Sequence, residues 1–119
     1  MEPILQTSNR NPYLECKPGS LRIASERDAL DLVWLCGEHQ VRNVLIAGEC
    51  LDEAFFDLKS GLAGAALLKW SNYSIRVAVI LAPERIGSGR FSEFVMETNR
   101  GNQFRVFSEK ESAVKWLAG

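Results

Sequence analysis

The sequence predicts a single α/β domain with a mostly parallel, mixed sheet, and three observations lead there. Short runs rich in β-branched residues alternate with longer stretches of helical periodicity. The connections between them are short, which suits β-α-β crossovers. Several helical stretches also open on a recognisable capping residue. The chain has 119 residues, 46 % of them apolar and 24 % charged, a size and balance that can bury a core without disulfides or metal. We read residues 1–119 as one domain, with an extended segment at 1–20 and a core of four β-α units at 21–117.

Taken in order, the first twenty residues hold Asn-Pro and Pro-Gly turn signals between short extended runs, which predicts an N-terminal edge strand or hairpin. Leu21–Ala24 reads as the first core strand. Ser25 and Asp28 approximate a capping box that opens a helix running to about His39. Leu30, Val33, Trp34 and Gly37 are expected on its inner face, with Glu26, Arg27, Asp31 and Glu38 toward water. Val41–Gly48 is a nearly continuous apolar strand, as when both sheet faces are covered. A helical region follows, with candidate caps at Asp52 and Ser60, and then a third buried strand from Ile75, stopped by Pro83. Phe91, Phe94 and Val95 line one side of the next helix, and Gly101 stands where a left-handed residue would end it. Gln103–Phe107 is the last strand, and Ser108 with Glu111 spells a capping box for the final helix.

Composition excludes several classes of function. Fourteen Lys and Arg balance fifteen Asp and Glu, interspersed along the chain, so no basic stripe recommends nucleic acid as a partner. The apolar runs fall far short of the roughly 20 residues a membrane span needs. The first twelve residues lack the basic and apolar regions of a signal peptide. Cys16, Cys36 and Cys50 are odd in number and irregularly spaced, against a disulfide framework or metal site and in favour of a reduced, cytoplasmic setting. His39 is the sole histidine and falls at a helix end, so histidine-based zinc or triad chemistry finds no support. No catalytic constellation, metal or cofactor is expected.

In open α/β sheets ligands gather at the carboxyl ends of the strands. That rule puts Glu49, Asp57, Ser60 and Gly61 on the functional rim after the second core strand, and Glu84 and Arg85 after the third. Tyr73, Glu97, Asn99 and Arg100 fall in helix-to-strand returns at the opposite rim, where a structural polar lock accounts for them. Ser60 has two readings with the same local geometry. It can cap a helix, or it can carry a phosphate that the helix N-terminus would stabilise.

The segments "FFDLKSGLAG…LLKWSNYSIRVAV" and "FSEFVMETNRGNQFRVFSEKESAVKWL" closely resemble the bacterial family described as domain of unknown function 4180, over roughly Leu21 to Leu117. The resemblance implies a small cytoplasmic bacterial or archaeal protein with a fold like SpoIIAA, and no established activity. A weaker likeness to STAS proteins, the anti-sigma-factor antagonists, rests on Asp57, Ser60, Gly61 and Leu62. In those antagonists a serine or threonine ahead of a helix accepts phosphate from a partner kinase, which makes Ser60 the matching position. Here Leu58 and Lys59 separate the aspartate from the serine, where the STAS motif is tighter.

Three hypotheses follow. The leading one is a non-enzymatic, STAS-like regulatory or interaction domain with a protein partner. The alternative is a small-ligand binder or modest enzyme using Glu49, Asp57, Glu84 and Arg85. The third is a homo-oligomeric module, since adjacent Phe55 and Phe56 cannot both point into one core from a helix.

Overall fold

The β-branched runs form a sheet whose five strands lie side by side in chain order. The computed structural model describes residues 3–6 and 12–119. Its elements begin with β1 (Ile4–Gln6), β2 (Tyr13–Cys16), α1 (Glu26–His39), β3 (Asn43–Ala47) and the single turn α2 (Glu53–Phe56). They continue with α3 (Leu62–Asn72), β4 (Arg76–Ile80), the single turn α4 (Pro83–Ile86), α5 (Arg90–Thr98), β5 (Phe104–Phe107) and α6 (Lys110–Ala118). β2 through β5 pair in parallel, and β1 adds antiparallel to β2.

Side-chain alternation along the strands divides the core in two. Leu14, Val44, Ile46, Val77, Val79 and Phe104 face one layer, filled from α1, α3 and α5. Tyr13, Leu45 and Ala78 face the other, where α6 supplies Ala113 and Leu117. An aromatic seam runs through the larger layer. Trp70 stacks on Phe104 at 6.1 Å, and Phe55 and Phe94 flank the same ring at 6.2 and 6.3 Å. The Trp70 indole N–H donates to the Ala29 carbonyl at 3.1 Å, tying α3 to α1.

Several expectations are corrected. Leu21–Ala24 is not a strand: Ile23 makes one isolated bridge to Leu51. The first parallel strand is Tyr13–Cys16, inside the segment read as an edge. Its charged residue disguised it, because Glu15 is buried and its carboxylate meets Lys110 Nζ at 2.7 Å across the sheet. The Pro18–Gly19 turn forms, closed by the Ser20 N–H to the Lys17 carbonyl at 2.9 Å, while Asn11 of the Asn-Pro signal lies outside the described residues.

The cap of α1 forms as expected: Ser25 Oγ accepts from the Asp28 N–H at 3.1 Å, and Asp28 accepts from the Ala24 N–H at 2.8 Å. The inner face of that helix is rotated from the expected one. Ala29, Leu32, Val33 and Cys36 are buried, whereas Gly37 is exposed and Trp34 is 59 % exposed. Gly101 is not left-handed; α5 ends on Asn99 in an ordinary helical conformation, followed by tight turns. The Ser108–Glu111 box does not close, because α6 starts one residue late, with Glu109 at its cap position and no side-chain cap bond.

Candidate functional site

The carboxyl rim is assembled by the two chain segments that leave β3 and β4. Gly48 opens a 3₁₀ turn directly after β3. It has to be glycine: a Cβ there would lie 2.7 Å from the Ile80 carbonyl oxygen and collide with the Leu81 side chain. This close approach brings the two strand ends together. Between them lies a cleft of about 350 Å³, whose lining includes Arg22, Gly48, Glu49, Glu53, Leu81 and Arg85.

Both arginines of the cleft are held by neighbours. Arg22 reaches Asp52 Oδ1 at 3.0 and 3.2 Å and the Glu49 carbonyl at 3.4 Å. Asp52 also caps α2 through the Ala54 N–H at 3.0 Å, and that bond, with the arginine, holds its carboxyl below its ordinary range. Arg85 meets Glu53 at 3.1 Å and lies over the Phe56 ring at 4.5 Å. Glu49 and Arg85 line one cleft. Glu84 stands exposed in the first turn of α4, outside that lining.

Asp57 and Ser60 mark the approach to α3. Asp57 Oδ1 accepts from the Lys59 N–H at 3.1 Å, starting a 3₁₀ turn over Leu58–Ser60. Gly61 follows at φ 80°, the left-handed region that glycine tolerates best, and α3 begins at Leu62. The exposed Ser60 hydroxyl donates to the Ala54 carbonyl at 2.6 Å and accepts from the Leu62 N–H at 3.1 Å. It bridges the end of α2 to the start of α3.

The four residues read as a polar lock fall into three separate contacts. Tyr73 is 49 % exposed and tilts against Trp34 at 6.5 Å. Glu97 and Arg100 form an exposed pair at 3.6 Å. Asn99 makes the structural contact: its amide donates to the Val106 carbonyl at 3.2 Å and its oxygen accepts from the Val106 N–H at 2.8 Å. The two phenylalanines are engaged within the chain. Phe55 is wholly buried, and Phe56 packs edge-on against Phe91 at 5.0 Å beneath Arg85.

Sequence reasoning missed Arg22 and Glu53, because their partners lie 30 and 32 residues away and no local pattern announces such pairs. Among the described residues no three of His, Cys, Asp and Glu converge as metal ligands, and no helix is long and apolar enough to cross a membrane.

The three thiols are buried. Burial pushes Cys36 up to about 12 and raises Cys16 and Cys50 as well. Cys50 Sγ donates to the Lys17 carbonyl at 3.3 Å. Native protein should therefore resist a thiol-specific reagent, and all three groups should react on unfolding. A folded pKa above the unfolded one also means that the unfolded chain loses thiol protons first. Stability should fall as pH rises above the ordinary thiol value of 9.0, and Cys36→Ala should flatten that slope in urea titrations.

Fold and rim together define a mixed α/β domain with a polar cleft at the carboxyl ends of parallel strands. The family model for a domain of unknown function, DUF4180, matches residues 8–117, and the chain belongs to that family. Neither the curated proteins nor the solved structures gave a match.

Proposed function

We propose that this is a STAS-like regulatory module of four β-α units, acting in the cytoplasm. It would meet a protein partner through the rim surface of Asp57, Ser60 and Gly61. The Ser60 hydroxyl carries the reading. It is exposed, it stands two residues ahead of an 11-residue helix, and it hydrogen-bonds that helix's first N–H.

In phosphoryl transfer from a nucleoside triphosphate held by a partner kinase, the Ser60 Oγ–P bond forms and the terminal P–O bond of the triphosphate breaks. The hydroxyl proton passes to the kinase's base. The phosphoserine oxygen can no longer donate to Ala54, so modification would loosen α2 from α3 and add nearly two negative charges at the rim.

The test compares wild type with Ser60→Ala and Ser60→Asp in pull-downs from the native host, with phosphosite mass spectrometry. A stoichiometric partner that Ser60→Asp loses, together with phosphate on Ser60, is the expected result. An unmodified serine and an identical partner set for all three proteins would overturn the reading. Gly61, not Ser60, holds the cap position of α3, so in purified protein Ser60→Ala should cost about 1 kcal/mol through its bonds to Ala54 and Leu62.

The cleft favours a second reading, a small-ligand site or modest enzyme built on Glu49 and Arg85. A thermal-shift screen over metabolites and nucleotides discriminates the two. A shift abolished by Arg85→Ala supports the ligand site, and no shift with any compound counts against it.

A further inference from the structure

The outer face of α1 holds an exposed tryptophan that the fold does not use. Trp34 is 59 % exposed, and among the described residues its one ring contact is the tilted, half-exposed Tyr73. It walls a groove of about 460 Å³ between α1 and the Ser20–Ile23 segment. Leu21, Leu32 and Leu35 give that groove an apolar lining, and the same helix adds the carboxylates of Asp31 and Glu38, with Asp28 engaged in the cap. Among the described lining residues the one cation, Arg22, already has Asp52 as a counter-ion. Asp31 shares Arg27 at 3.3 Å on the exposed surface, and among the described residues Glu38 has no ion pair.

We infer that this groove docks a partner segment that sets lysine or arginine beside an apolar side chain. Exposed apolar surface rimmed by charge marks interaction sites, and tryptophan is the residue most enriched among binding anchors. The carboxylates choose the sign of the occupant. A cation over the Trp34 ring would gain a cation–π contact while Asp31 and Glu38 neutralise it, and an acidic segment would be repelled. This surface is independent of the Ser60 reading, and the two can fail separately.

The experiment uses the full chain and two synthetic probes, an amphipathic leucine–lysine peptide and its leucine–glutamate counterpart. Binding is followed by calorimetry and by tryptophan emission, with Trp34→Phe as the optical baseline. The lysine peptide should bind and shift the emission of Trp34 to the blue, and the glutamate peptide should not bind. The Asp31→Asn/Glu38→Gln double variant should weaken binding about fivefold, and Trp34→Ala about tenfold. Glu93→Gln/Glu111→Gln removes the same charge from exposed sites on other helices and should leave binding unchanged. Circular dichroism of each variant checks that it folds.

Equal binding of the two peptides, no binding of either, or equal weakening by the control pair would overturn the proposal. So would a dimer in sedimentation that Trp34→Ala dissolves, because that outcome gives the groove to a second copy.

Discussion

Trp70→Ala should destabilise the protein by about 3–5 kcal/mol, a large share of the 5–15 kcal/mol typical of a whole domain. The side chain is fully buried, so its removal leaves a cavity that the packed seam around Phe104 and Phe55 cannot fill. It also removes the indole bond to the Ala29 carbonyl, which ties α3 to α1. Trp70→Phe separates these effects: it keeps most of the ring packing and should cost about 1–3 kcal/mol for the lost hydrogen bond and the smaller ring. Urea unfolding measures both. A loss below about 1 kcal/mol for the alanine variant would mean that the seam does not hold α3 against α1.

Gly48→Ala should be the second most damaging single change, at about 3 kcal/mol, the upper part of the usual range for overpacking. The added methyl meets backbone at Ile80 and a buried side chain at Leu81, and neither can retreat without parting β3 from β4 at the rim. Gly64→Ala is the matched comparison. Gly64 lies exposed in α3, and a methyl added there would meet no neighbouring element within 4 Å, so alanine should stabilise by about 0.5–1 kcal/mol. Equal effects at the two positions would refute the steric argument. Because Gly48 lines the cleft, its substitution should also abolish any ligand shift that depends on Arg85.

The parts of this molecule legible from sequence are those whose physics is local. The apolar run of Val41–Gly48 contains β3, since a strand buried on both faces needs nothing from outside to declare itself. The Ser25–Asp28 box forms for the same reason. Glu49 and Arg85 share a cleft because strand ends in a parallel sheet share a rim. What sequence hid depends on distant partners. Glu15 reads as a solvent residue until Lys110, from the other end of the chain, neutralises it.

Trp34 reads as core because tryptophan usually is, yet Ala29, Leu32, Val33 and Cys36 already complete an inward stripe without it. Ser108 and Glu111 have the spacing of a box, but the helix between them starts a residue too late to close it. Ser60 lies between these extremes. Its place before a helix was readable, and its bond to Ala54 was not, because that bond depends on how one short turn folds back on another.

The amide of Asn99 has a bearing on how copies of this protein coexist in a crowded solution. β5 is the last strand of the sheet, and such a margin ordinarily invites a neighbouring molecule to zip on, strand to strand. Here Val106, midway along the margin, already has its N–H and its carbonyl engaged by one side chain that imitates a passing backbone. A would-be recruit must first evict that mimic, so fibrous stacking through this side is disfavoured.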